Sequence, residues 1–102
     1  MGQIADLQKR IWQNKLAKGF NTTNVDREFN YTYAELAEAY ESYRKEKGDV
    51  GEELADTAIF VISLAEMLGV DLEKEMLAKM DTNEKREYIE QNGHHIKKGI
   101  TK

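Results

Sequence analysis

The chain contains no proline in its 102 residues. Average usage would supply roughly five, and each one inside a helix would remove a donor and clash with the preceding turn. Long unbroken helices are therefore open to this sequence, and proline-stiffened linkers are not. Glycine supplies the punctuation instead. Gly19, Gly48, Gly69 and Gly93 each follow a stretch that reads as helix, where a left-handed residue commonly closes a C-terminus. The spacing predicts a first helix over about 3–18, a second ending near Lys47, a third over about 50–68 and a fourth beginning at Asp71. Asp49-x-x-Glu52 and Thr32-x-x-Glu35 have the form of capping boxes, and Asp71 suits an N-cap. The second helix starts either at Thr32 or as early as Asn24, and the fourth has a candidate break at Asp81-Thr82-Asn83. No run reads as a strand and no repeat is present. The expected fold is a small all-α, four-helix bundle over residues 1–90, followed by a flexible tail over 91–102.

Charge and cysteine content narrow the functional classes. Fifteen Lys and Arg stand against 19 Asp and Glu, a formal net charge of −4, which lacks the basic footprint of a nucleic-acid binder. The absence of cysteine excludes disulfide frameworks, thiolate metal sites and cysteine nucleophiles. The N-terminus has no apolar core of signal-peptide length, and Asp6 stands where a myristoylation signal needs Ser or Thr. The longest apolar stretch, Ala58 to Ala65, is interrupted by Ser63 and falls far short of the ~20 residues of a membrane span. The expectation is a cytoplasmic protein with neither nucleic-acid nor membrane partners.

The third helix carries apolar residues almost all round: Leu54, Ala58, Ile59, Phe60, Val61, Ile62, Leu64, Ala65 and Leu68. A surface helix of a monomeric bundle needs one apolar stripe, and a helix apolar on every side must be covered on every side. So short a chain has few helices to do that, which predicts a homodimer or homotetramer.

Two acidic pairs are the candidates for chemistry. Glu35 and Glu38 lie three apart on the second helix, Glu53 and Asp56 three apart on the third. That spacing puts each pair on one helix face, and the short connection at Gly48 makes the helices antiparallel neighbours. Four converging carboxylates need a cation to stay ionised together, and an all-oxygen set suits Mg²⁺ or Mn²⁺. Structural explanations compete. Glu35 is placed to close a box with Thr32, and Glu53 sits in a first turn where the helix dipole favours an acid. The Glu35–Glu38 pair also lies opposite the Tyr33, Leu36, Tyr40, Tyr43 stripe, so a monomer that buried the stripe would expose the acids. Glu53 and Asp56, in contrast, run on into Phe60, Leu64 and Met67, an apolar setting that is costly for an unpaired carboxylate.

The run from Ala34 through Glu35, Glu38 and Tyr40 to Arg44, followed by Glu52-Glu-Leu-Ala-Asp56, resembles the MazG-like group of all-α nucleoside triphosphate pyrophosphohydrolases. That group's signature is E-E-x-x-E, a spacer, then E-x-x-D. Leu68-Gly-Val-Asp-Leu72, the Lys79-x-x-x-Asn83-x-x-Arg86 segment and the Lys18-Gly19-Phe20 helix end also have counterparts there, so the likeness spans roughly residues 4–88. Ala34 stands in place of the first signature glutamate, and Ala37 in place of a small glycine. The register that keeps the spacing uses Glu35 and Glu38; one using Glu38 and Glu41 is the alternative. The resemblance implies Mg²⁺-dependent hydrolysis of nucleoside triphosphates, dNTPs above all, between the α and β phosphates. Glu35, Glu38, Glu53 and Asp56 would then hold Mg²⁺ (or Mn²⁺), with Glu38 or Glu35 as general base and Lys79, Asn83 and Arg86 on phosphate oxygens. No G-x-x-x-x-G-K-[ST] loop is present, so metal and side chains must do all the phosphate binding.

A base pocket is drawn from Trp12 and Phe20 as walls, Asn14 and Lys15 as polar contacts, and Phe60 one turn beyond Asp56. Ordinary packing is the competing explanation for Trp12 and Phe60, and surface pairing with Glu75 and Glu90 for Lys79 and Arg86. The adjacent His94 and His95 lack partner ligands and read as free tail histidines. The non-enzymatic alternative is an acidic helical dimerisation or nucleotide-sensing module.

Overall fold

Along the chain run α1 (Gln3–Lys18), α2 (Val25–Arg44), α3 (Val50–Met67), α4 (Leu72–Lys85) and two short strands, β1 (Tyr88–Gln91) and β2 (His94–Lys97). The computed structural model describes residues 2–86, 88–91 and 94–97; the expectations for Gly93 and for residues 98–102 lie outside these. The four expected helices are present. The expectation that no run forms a strand is corrected beyond α4 only: β1 and β2 pair antiparallel, with Tyr88 opposite Lys97 and Gln91 opposite His94, so His94 and His95 belong to a strand.

Local chemistry explains most helix ends. Gly19 and Gly69 adopt φ of 69° and 70°, and Phe20 N–H and Val70 N–H reach back to the Lys15 and Ala65 carbonyls at 3.0 and 2.8 Å, as a Schellman closure requires. Asn24 and Asp71 cap α2 and α4, their side-chain oxygens accepting from Arg27 N–H and Lys74 N–H. Neither predicted capping box forms. Thr32 lies inside α2 with its hydroxyl donating to the Glu28 carbonyl at 2.8 Å. Asp49 makes no side-chain cap to α3; its carboxylate instead accepts from the Ser42 hydroxyl. With Ser42 drawn to Asp49 and Glu41 gathering Lys45 and Lys47, α2 ends at Arg44, before the predicted Lys47. Glu46 takes the left-handed position at φ 52°, and Gly48 turns the chain at φ 86°. Helix α4 runs through Asp81-Thr82-Asn83 unbroken.

Antiparallel α2 and α3 form the main packing unit, and α1 lies across α3. Helix α4 stands on the start of α1, where Glu73 accepts from the Ala5 N–H at 3.0 Å. The interior is small and unusually polar. Among the described residues the buried apolar side chains are Ala39, Ile62, Leu64 and Ala65, while Gln8, Lys15, Glu28, Ser42 and Ser63 are buried with them. No helix is long and apolar enough to cross a membrane among the described residues.

Candidate functional site

The α2–α3 seam is built from polar rungs. Positions 28, 31, 35, 38 and 42 of α2, alternately three and four apart, meet positions 63, 60, 56 and 53 of α3 and its N-cap at 49 in antiparallel order. At one end the Ser63 hydroxyl donates to Glu28 at 3.0 Å. Next, the rings of Tyr31 and Phe60 meet edge to face with centroids 6.0 Å apart. Acidic residues occupy the following two rungs, and the Ser42–Asp49 hydrogen bond closes the other end. A three-four repeat is the spacing of a helix–helix contact line, so the acids occupy positions that an ordinary bundle fills with apolar residues.

Glu35, Glu38 and Glu53 each place a carboxylate oxygen within 4.8 Å of the others. Glu35 and Glu53 are half-buried and Glu38 is exposed. Glu53 Oε1 is buried with no hydrogen-bond partner, a costly state for a carboxylate oxygen unless a cation completes it. Burial first, then the charges of Glu38, Asp56 and Glu53 and a hydrogen bond with Glu38, hold the Glu35 carboxyl above its usual range. Glu53 is raised by burial and by the charges of Glu38, Asp49, Asp56 and Glu52. Asp56 is exposed, and its charge acts on both glutamates without its joining the close group of three. Glu41 points elsewhere and pairs with Lys45 at 3.2 Å and Lys47 at 3.7 Å. The geometry thus gathers the Glu35–Glu38 register and leaves out the alternative one.

These positions bear on the competing explanation, in which the tyrosine stripe is buried and the acids face solvent. The tyrosine stripe of α2 is exposed, with Tyr33 at 65% and Tyr43 at 69%, and the acidic face is the one turned to α3. Period alone cannot choose between two stripes on one helix; the partner helix does.

Beside the acids, between α1, α2 and α3, lies an open cavity of about 1110 Å³. Phe20, Tyr31 and Phe60 supply aromatic walls, and Asn14 and Asn21 polar ones. Arg10 and Arg27 also line it, and neither makes an ion pair among the described residues. Tyr31, Arg10, Arg27 and Asn21 were not anticipated. The available signal was that Arg27 and Tyr31 precede Glu35 by two turns and one on the same helix.

The remaining predicted residues divide. Phe60, Phe20 and Asn14 line the cavity; Trp12, half-buried on α1, does not. Lys15 also borders the cavity, but its ammonium is occupied by protein: Glu28 Oε2 lies at 2.7 Å, Ser63 Oγ at 2.6 Å and Met67 Sδ at 3.9 Å. Asn21 Nδ2 donates to the second Glu28 oxygen at 3.0 Å, so the loop after α1 is tied to this buried pair. Lys15, read from sequence as a polar contact of the base pocket, thus reaches the cavity with its ammonium already bound, because on the inner face of α1 its charge has to be neutralised within the fold. Lys79 and Asn83 are exposed and Arg86 half-buried on or just past α4, which packs on α1 and makes no extended contact with α2 or α3. One chain therefore does not bring these three to the carboxylates.

Among known families, the MazG-like family matches residues 31–101, well over half the chain and all of the acidic seam. No curated protein and no solved structure matches at the same level of similarity.

Proposed function

The chain belongs to the MazG-like family, and on that premise we propose that it hydrolyses nucleoside triphosphates, dNTPs above all, between the α and β phosphates with Mg²⁺. The observation that carries the reading is the group of Glu35, Glu38 and Glu53 within 4.8 Å, one oxygen of which is buried without a partner. A donor set of carboxylate oxygens fits a hard divalent cation, Mg²⁺ or Mn²⁺. Glu35, Glu38 and Glu53 would hold it, with Asp56 adjoining. When bound, such a cation polarises phosphoryl oxygens and lowers the pKa of water.

The chain's own groups do the rest. The triphosphate's base and sugar enter the cavity, where Tyr31, Phe60 and Phe20 offer aromatic surface and Asn14 and Asn21 offer hydrogen bonds. Arg10 and Arg27 supply positive charge to a ligand that is strongly anionic. Glu35 or Glu38 takes the proton of the attacking water as its oxygen bonds to the α phosphorus, and pyrophosphate departs with the electrons of the broken bond. Lys79, Asn83 and Arg86 keep a phosphate-binding role in this proposal only if α4 approaches the seam.

Incubation with each common NTP and dNTP, with Mg²⁺ and separately Mn²⁺, tests the reading. Monophosphate with pyrophosphate, lost on chelation, supports it, and diphosphate with inorganic phosphate places the cut at the wrong bond. The absence of any product with either metal overturns it in favour of a nucleotide-sensing or dimerisation module.

A further inference from the structure

The acidic half of the α2–α3 seam has little apolar packing to hold it together. Of the buried apolar side chains among the described residues, Ile62, Leu64 and Ala65 lie beyond Phe60 on α3, and Ala39 is the one beside the acids on α2. Glu35, Glu38 and Glu53 meet within 4.8 Å, and facing carboxylates push their two helices apart. What spans the helices next to them is the hydrogen bond from the Ser42 hydroxyl to the Asp49 carboxylate. Ser42 is 2% exposed and follows Glu38 by one helical turn. Asp49 precedes Glu53 by one turn, and its carbonyl accepts the Glu53 N–H at 3.2 Å. The Ser42 carbonyl takes the Lys47 N–H at 3.0 Å, so this one residue fixes both the connection and the helix that follows it.

The tie is unfavourable by local rules. Asp49 stands at the N-cap of α3 and makes no side-chain bond to it, forgoing the contact that favours aspartate there. Its charge also adds to the acidic group: Glu53 is raised by burial and then by the charges of Glu38 and Asp49. The connection passes through Glu46 at φ 52°, a conformation uncommon outside glycine. Local rules broken together beside one cluster mark a functional site.

We propose that Ser42 and Asp49 are positioning residues, whose hydrogen bond draws the start of α3 onto the end of α2 and sets Glu53 opposite Glu38 before a cation arrives. The role presupposes that these carboxylates hold a divalent cation, as proposed above, but neither Ser42 nor Asp49 touches the cation or the substrate. A donor set assembled in advance loses less freedom on binding. Without the tie, Asp49 is released to cap α3 and Glu53 is no longer held against Glu38.

Mn²⁺ titrated calorimetrically into the full chain, without nucleotide, tests the role together with urea unfolding. Ser42→Ala should weaken Mn²⁺ binding about tenfold, the lower end of what outer-shell partners of a metal contribute. Its urea midpoint should be no lower than wild type, because the freed Asp49 caps α3. Asp49→Asn keeps an acceptor for the Ser42 hydroxyl and should bind Mn²⁺ nearly as wild type does, whereas Asp49→Ala removes the acceptor and should match Ser42→Ala. Unchanged affinity in Ser42→Ala and Asp49→Ala overturns the proposal, as does a midpoint that falls in step with affinity. Equal weakening in Asp49→Asn and Asp49→Ala also overturns it, since charge would then be the cause. If Ser42→Ala does not fold, the two Asp49 variants decide by the same comparison. A wild type that binds Mn²⁺ but releases no pyrophosphate from any triphosphate overturns the hydrolytic reading alone; one that binds no Mn²⁺ overturns both.

Discussion

Tyr31 of α2 and Phe60 of α3 pack edge to face, centroids 6.0 Å apart and ring planes at 65°, on the rung of the seam next to Glu35 and Asp56. Both rings also line the cavity, so the aromatic pair adjoins the acidic group on one side and the cavity on the other. A base stacked on aromatic surface gains about 1–3 kcal/mol. Phe60→Ala is therefore expected to raise KM for the preferred triphosphate about tenfold with a smaller change in kcat, and Phe60→Tyr to retain most of the affinity. Steady-state kinetics checks this; an unchanged KM removes Phe60 from substrate binding.

The carboxylates are expected to be indispensable for turnover and dispensable for folding. Glu38→Gln and Glu53→Gln keep the shape of the side chain and remove the charge. Each should cut pyrophosphate release by about 100-fold or more, while circular dichroism shows unchanged helix content. Activity within a few-fold of wild type in both variants would separate the acidic group from catalysis.

Stability should respond to pH in the direction set by Glu35 and Glu53. Both are raised above the ordinary glutamate value of about 4.3, so the folded state binds these protons more tightly than the unfolded chain. Their contribution is complete below the ordinary value and declines as pH climbs through the raised ones. Without metal, the wild type should lose more stability than Glu53→Gln as pH rises above the ordinary glutamate range. Added Mg²⁺ or Mn²⁺ should raise the wild-type melting temperature, and more at the alkaline end, where fewer protons compete with the cation. Thermal melts of both proteins across this range, with and without metal, provide the check.

The Lys15–Glu28 pair should behave as a buried ion pair. Its side chains are 8% and 2% exposed, and removing one partner strands the other charge at a cost of about 3–5 kcal/mol. Against a total stability of about 5–15 kcal/mol, Lys15→Met or Glu28→Gln should lower the urea midpoint sharply. The double variant Lys15→Met, Glu28→Leu should recover much of the loss, since neither charge is then left unpaired.

Reading the chain alone succeeded where the determining interactions are local. Gly19, Gly69 and Asp71 mark helix ends through backbone conformation and a single capping bond. The three-residue spacing of Glu35 with Glu38, and of Glu53 with Asp56, places each pair on one face whatever packs nearby. Reading failed where two distant groups compete for one role. Asp49 has the sequence of an N-cap, but its carboxylate accepts from Ser42 seven residues back. Lys15 reads as a polar contact for a base, but Glu28 and Ser63 take its donors.

The order and approximate bounds of the four helices, and the acids each face carries, were thus determined by sequence, because hydrogen bonds within a few residues decide them. Which stripe of α2 turns inward was decided by the tertiary structure alone. The acidic stripe and the tyrosine stripe have the same period, and helical periodicity says nothing about what lies opposite. Only the antiparallel approach of α3 sets Glu53 beside Glu35 and Glu38, leaving Tyr33, Tyr40 and Tyr43 facing outward.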